Sequence, residues 1–278
     1  MASRFWVGGT GTWNASDTTH WAATSNGAGG QSVPGSSDAV TFDANSGGGT
    51  VTVNTTVTVQ SIICGAFTGT LDFSTNDNDV TVGFFNASGT GTRTINLGDG
   101  TWTITSTTNG STIWNFSTTT GLTFNANSST IVLSGSTGSG RTFNGGALTY
   151  NNLQLESQTG TGSFNITGAN TFNSLTITGR NTVSFAANQT ISTLSVNGTV
   201  FGSMVLLESN TNGTQRTISV ASGTPTLTGL ISRDLSFSGG ATFSATNSID
   251  QGNNSGITIT APSGGGSVSA RTSYALGV

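Results

Sequence analysis

The chain predicts an all-β fold, a single elongated parallel β-helix or β-solenoid. Three observations carry the prediction: a composition poor in helix formers, short alternating apolar runs, and an anchor pattern that recurs at about twenty-residue steps. Of 278 residues 33% are hydrophobic and 6% charged, with 41 Gly and 3 Pro, so the surface is built mainly from Thr, Ser, Asn and Gly. These are poor helix formers, and no long stretch carries apolar residues at helical spacing. Disorder is excluded as well, because the net charge is only −4 while Val, Ile, Leu and Phe recur in regular bursts.

The repeat is clearest in the middle of the chain. Tyr150-Asn-Asn-Leu153-Gln-Leu155, Phe172-Asn-Ser-Leu175-Thr-Ile177 and Ile191-Ser-Thr-Leu194-Ser-Val196 match position for position. The anchors advance together, by 22 residues (150 to 172) and then by 19 (172 to 191), which marks one repeated structural unit. Val59-Gln-Ser-Ile62-Ile-Cys64 reads as an earlier copy and Ile231-Ser-Arg-Asp-Leu235-Ser-Phe237 as a looser later one. Upstream of the anchors, Val51-Thr-Val53, Phe164-Asn-Ile166 and Val183-Ser-Phe185 alternate in the way that points apolar side chains inward and Thr, Asn or Ser outward. Short strands joined by tight polar turns make one coil of a solenoid, with equivalent positions stacked about 4.8 Å apart. Leu153, Leu175 and Leu194 are therefore expected in one file along the axis.

The chain divides into an N-terminal cap or docking region over 1–45, the solenoid over 46–261 and a Gly/Ser-rich tail over 262–278. A cap is needed because an open coil exposes apolar cross-section and unpaired strand edge. The first region supplies Phe5, Trp6, Trp13 and Trp21, then Pro34-Gly-Ser-Ser and the strand Ala39-Val-Thr-Phe42. The tail ends Tyr274-Ala-Leu-Gly-Val278, a flexible arm or a partner-docking strand. Between Asn76 and Gly140 the rhythm loosens, and the turn pairs Asp99-Gly100 and Asn109-Gly110 leave room for longer coils or antiparallel hairpins.

Several functions are disfavoured by residue type. All seven basic residues are arginines, spread singly along the chain, so no phosphate-binding stripe forms and nucleic acid is not an expected partner. One cysteine, Cys64, excludes an intrachain disulfide and reads as core beside Ile62 and Ile63. The opening residues lack the ~7–15-residue apolar stretch of a secretory signal, and no apolar run of ~18 residues occurs. Membrane insertion is not expected, and the protein is expected to be made in the cytoplasm.

The remaining candidates for chemistry are sparse. Asp77-Asn-Asp79 begins like a calcium loop but lacks the rest of such a spacing, and polar residues before a strand usually form just a turn. Glu156, Glu208, Arg233 and Asp234 fall near strand ends, where coils can bring distant residues together, though no spacing pairs them. His20, the single histidine, builds neither a histidine metal site nor a triad. Trp6, Trp13 and Trp21 are candidate glycan or docking contacts, since an indole joins an apolar face to a polar N–H; capping accounts for them too. Thr50-Val-Thr52, Thr56-Val-Thr58 and Thr176-Ile-Thr178 resemble the faces of ice-binding solenoids, and are also the outward positions of half-buried strands. No catalytic residue, cofactor or metal site is expected.

Phe5-Trp-Val-Gly-Gly-Thr-Gly-Thr-Trp-Asn14, Thr19-His-Trp21 and Val33-Pro-Gly-Ser-Ser-Asp-Ala-Val-Thr-Phe-Asp43 resemble the opening of phage virion proteins rich in glycine and threonine. Phe172-Asn-Ser-Leu-Thr-Ile-Thr-Gly179 and Asp250-Gln-Gly-Asn-Asn-Ser-Gly-Ile257 continue the resemblance more loosely, and bacterial autotransporter passengers carry similar segments. The resemblance implies a non-enzymatic component of a virion exterior: a capsid decoration, spike or tail fibre. Such proteins are often trimeric, and their expected partners are sister subunits, other virion proteins and a host-surface glycan. The alternative is a cell-surface adhesin or carbohydrate-binding module; a polysaccharide depolymerase has only fold analogy behind it.

Overall fold

The structure, a computed structural model, describes residues 2–108, 110–134, 140–158, 160, 162–199 and 202–263. Among them the only helical element is a 3-10 turn at Ala44–Ser46; strands supply all other regular structure. Alternating short runs such as Thr50–Val53, buried at Val51 and Val53 and open at Thr50, cannot hide an apolar face within one strand pair. Each therefore pairs with the equivalent strand of the next coil, and the chain winds into a parallel β-solenoid.

Three faces make the coil. On the first, Val40, Ile62, Phe85, Trp114, Phe143, Ile166 and Phe185 follow one another in register, all pointing inward. The second is a five-stranded sheet of Gly11–Trp13, Thr50–Val53, Thr70–Asp72, Arg93–Asn96 and Leu122–Asn125. Along the third, one file runs Val59, Val82, Ile104, Leu133, Leu155, Ile177, Val196, Leu227, Ala245 and Ile259. Together these files form one continuous apolar core.

The sequence anchors fall where the pattern places them. Leu153 pairs in register with Leu175 and Leu175 with Leu194, and the three are 1, 0 and 2% exposed. Tyr150, Phe172 and Ile191 form a parallel file beside them. Between Phe172 and Leu175 two residues in succession, Asn173 and Ser174, face away from the core, and this break in alternation is the corner between two strands of one coil. Val59-Gln-Ser-Ile62 marks a different corner: Val59 belongs to the file of Leu155, and Ile62 to that of Ile166. In the later copy Ile231 lies on the first face, while Phe237 follows Ile218 at the corner that holds Gln189. The motif is a corner signature that any corner can use, so these two segments are not in phase with the central repeats.

Among the described residues the strands of region 76–140 pair in parallel and form no hairpin. Steps along the first face lengthen from 22 residues (Val40 to Ile62) and 23 (Ile62 to Phe85) to 29 (Phe85 to Trp114, then Trp114 to Phe143), and loops absorb the excess. Asp99-Gly100 makes no hairpin turn; the Asp99 N–H donates to Asp77 Oδ1 at 2.8 Å and Asp99 Oδ1 accepts from the Ser128 N–H at 2.9 Å, stitching three coils. Asn109 of the second turn pair and the tail beyond Ser263 lie outside the described residues. Antiparallel pairing among the described strands occurs instead near the N-terminus, between Ser3–Trp6 and Trp21–Ala22. There, Ser3–Trp6 also pairs in parallel with Ala39–Thr41, and Gly11–Trp13 with Thr50–Val53. The cap region thus supplies the first coil, and its antiparallel strand covers part of that coil's outer edge.

Leu175→Ala should lower unfolding free energy by about 2–5 kcal/mol, through lost burial and a cavity the neighbouring coils cannot close. Thr176→Ala, outward on the same strand, should change it by no more than about 0.5 kcal/mol. Equilibrium denaturation distinguishes them; equal losses at both positions would contradict the single apolar file.

Candidate functional site

At the capped end the tryptophans face inward. Trp6, Trp13 and Trp21 are 1, 1 and 0% exposed. Trp21 meets Trp6 and Trp13 edge-on at 5.1 Å, and Phe42 links the cluster to Phe67 and the core. His20 stacks on Trp6 at 4.5 Å with ring planes 4° apart, and its Nδ1–H donates to the Val7 carbonyl at 2.8 Å. Sugar stacking on Trp6, Trp13 or Trp21 is therefore not open in this arrangement, because their faces are covered by one another and by the first coil. The histidine orients a loop of the cap.

Most carboxylates are tied to the coil corners. Asp77 and Asp79 accept the backbone N–H groups of Asp99 and Thr101, each at 2.8 Å, so both halves of the calcium-like triplet hold the next coil. Glu208 and Arg233 sit side by side in register and form an ion pair; Arg233 Nε lies 4.0 Å from Asp234. Asp234 takes hydrogen bonds from the Asn253 amide and the Gly213 N–H, which hold its carboxyl below the ordinary carboxylate range. Glu156 is not in an ion pair among the described residues, and these residues contain no cluster of three or more metal-ligating side chains. Glu208, Arg233 and Asp234 are thus brought together; Glu156 is not.

Two arginines lie inside the coil. Arg93 and Arg141 are each 2% exposed. Arg93 donates to the carbonyls of Ala87, Gly91, Thr118 and Thr120, drawing two successive corner loops around one guanidinium. Arg141 donates to Ser106 and Ser134 carbonyls and to Gln158, and lies 4.3 Å from the centre of the Phe164 ring. Five fixed N–H donors suit a guanidinium to the carbonyls that wide corners leave unpaired. Both residues stand two positions before an inward aromatic or aliphatic side chain, in Arg93-Thr-Ile95 and Arg141-Thr-Phe143, so their strand phase was a legible signal of burial. Cys64 is fully buried, and burial pushes its thiol up to about 12.

An open recess lies where the second face stops. Leu122–Asn125 pairs with Arg93–Asn96 on one side, and no described strand pairs on the other. Leu122 and Phe124 follow the inward register of Arg93 and Ile95 yet remain half-buried, because the following coil turns back at Gly145–Leu148. The step leaves a recess of about 500 Å³ lined by Phe124, Asn125, Asn127, Thr149, Asn151 and Asn173, among others, with no acid, lysine or arginine in its lining. Amide ladders order its rim: Asn125 donates to Asn96 at 2.8 Å and Asn173 to Asn151 at 3.1 Å. A half-open aromatic ring among neutral amides and a hydroxyl can bind an uncharged, hydrogen-bonding ligand. Sequence reading missed it, since Leu122-Thr-Phe124-Asn reads as one more strand and its openness comes from what fails to follow it.

Comparisons with protein-family models, curated proteins and solved structures return no match.

Asp72, 7% exposed, gives a pH-dependent test of the corner chemistry. Burial opposes its ionised form, but hydrogen bonds from Ser74, Thr75 and Asn96 outweigh burial and hold the carboxyl below its ordinary value. A lowered folded-state pKa contributes stability that is present above the unfolded value of about 3.9 and is lost as pH falls through the folded value. Asp72→Asn should therefore be less stable than the parent at pH 7, with the gap closing below about pH 4. A gap that stays constant from pH 7 to 2 in denaturation experiments would remove the carboxylate's role.

Proposed function

We propose that this chain is a non-enzymatic structural protein of a phage virion, carried on the particle exterior as a decoration, spike or tail fibre. In this reading it is a stiff rod, favoured as a homotrimer, that presents uncharged polar faces to sister subunits or to a host surface. The observation that carries the proposal is the placement of ionisable groups. Asp72, Asp77, Asp79, Asp99 and Asp234 hold the coil corners, and Arg93 and Arg141 lie inside, which leaves faces of Thr, Ser, Asn and Gly for contact. Eleven strands stack along the first face, from Ser3–Trp6 to Ile249–Asp250, so ten spacings of about 4.8 Å give a rod of roughly 48 Å. The resemblance of residues 5–43 to virion proteins supports the location. Peptide mass spectrometry of purified particles of the encoding virus should find this chain in many copies; particles without it would end the proposal.

A second reading, a carbohydrate-binding module, is favoured by the recess beside Phe124. Its neutral amide lining suits an uncharged sugar better than an ionic ligand. On a glycan array the isolated chain should bind a neutral oligosaccharide, and Phe124→Ala should weaken binding tenfold or more, the loss of about 1.4 kcal/mol or more. No neutral glycan bound, or binding unchanged by the substitution, rejects this reading.

A further inference from the structure

The second face ends on an unpaired strand edge. Among the described strands Leu122–Asn125 pairs only with Arg93–Asn96. The carbonyls of Gly121 and Asn125 turn toward that partner, accepting the N–H groups of Arg93 and Leu97 at 2.9 Å each. Backbone groups alternate sides along a strand, so the C=O of Leu122 and the N–H and C=O of Phe124 point the other way, on the side of the recess. The Leu122 N–H is already engaged, donating to the Thr119 carbonyl at 3.1 Å. Across the recess, Thr149 and Tyr150 pair with Thr171 and Phe172 on one side, while pairing with Thr130–Leu133 on the other begins only at Asn152. Strand segments of two successive coils thus border one recess, and each lacks a described neighbour there.

The side chains at this edge are incomplete in the same way. Leu122 and Phe124 follow the inward register but stay half-buried, whereas Ile95, in register with Phe124 one coil earlier, is fully buried. Thr123 and Asn125 point outward, and Asn125 donates to Asn96 at 2.8 Å, an amide ladder that stops with the strand. The last two strands of the face, Arg93-Thr-Ile-Asn96 and Leu122-Thr-Phe-Asn125, share one pattern, with Thr second, an apolar residue third and Asn fourth. No acid, lysine or arginine lines the recess.

We infer that this edge is a socket for one extended, uncharged peptide segment of another protein, which adds as a further strand parallel to Leu122–Asn125. Strand addition draws affinity from main-chain hydrogen bonds and specificity from alternate side chains. In parallel register the segment's second and fourth N–H groups donate to the carbonyls of Leu122 and Phe124, and its second carbonyl accepts the Phe124 N–H. Its first and third side chains, both apolar, lie inward over Leu122 and Phe124. Its fourth, an asparagine, extends the ladder of Asn96 and Asn125, which requires the parallel direction. Charge selects the occupant: a lining of amides, a hydroxyl and aromatic rings offers no counter-ion, so a charged side chain or terminus would lose water without gaining a partner. Four residues at about 3.3 Å each match the length of Leu122–Asn125. The inference concerns the recess alone and holds wherever the protein is carried.

The probe is acetyl-Gly-Leu-Thr-Phe-Asn-Ala-amide, a copy of residues 121–126 with both termini uncharged, added to the full-length protein. Binding should saturate, and exchange of the Phe124 amide hydrogen, followed by NMR, should slow about tenfold or more. Replacing the peptide's Thr and Asn amides by esters keeps every side chain, removes the two N–H donors and should weaken binding about tenfold or more. Neighbouring residues on paired strands fall within the Cα separation a disulfide spans, about 4.4–6.8 Å. Asn125→Cys, at an exposed position and with buried Cys64 left in place, should therefore link to a peptide carrying Cys in place of its Asn and not to one carrying Cys in place of its Gly. Saturation without slower exchange at Phe124, or ester and amide peptides binding alike, overturns strand addition. A link through the Gly position overturns the parallel register. No binding of the peptide at millimolar concentration overturns the inference, and a neutral oligosaccharide found in the recess instead leaves the second reading standing without it.

Discussion

The structure depends on backbone pairing between coils. In a parallel ladder each strand's N–H and C=O groups find partners in the coil above and the coil below, so successive coils must present strands in the same place. Side chains then stack by register: Leu133, Leu155, Ile177 and Val196 share one inward file. Because neighbours on both sides cover each side chain, a few apolar residues per coil suffice, and a chain with 33% hydrophobic content still builds a continuous core. No single coil encloses its own core, so stability belongs to the stack.

Corners are where this arrangement is difficult, and polar residues and glycine cluster there for that reason. A corner turns the backbone out of the ladder, leaving carbonyls and N–H groups that need partners. Asp77, Asp79 and Asp99 meet the N–H groups of following coils, and Arg93 and Arg141 meet carbonyls from inside. Close stacking of corner loops also demands glycine. A Cβ on Gly65 would stand 1.9 Å from the Ser88 carbonyl oxygen, and one on Gly89 equally close to that of Gly65. Glycine here permits contact between successive loops.

The same division of labour shapes what the molecule offers to partners. With many charged groups held at corners or inside, the outward files are Thr50, Thr70, Thr94 and Thr123, flanked by Thr52, Asn96 and Asn125. Such faces are flat, repetitive and hydrogen-bonding, suited to many weak contacts rather than one deep pocket. The recess at Phe124 interrupts that regularity because the second face ends while the other two continue.

Much of this was legible in the chain itself. Alternating runs and shared offsets determined the solenoid, the inward files and the placement of Leu153, Leu175 and Leu194, since in a strand the phase of a side chain decides its side. Cys64 as a core residue followed from its neighbours. Only the tertiary structure decided which corner a motif occupies, because Val59-Gln-Ser-Ile62 and Tyr150-Asn-Asn-Leu153 share one local shape at different places in the coil. It also decided that the tryptophans pack against one another instead of facing solvent, and that Phe124 stays half-open. Burial in both cases depends on whether another coil lies beyond the residue, and that is a property of the stack, not of the local sequence.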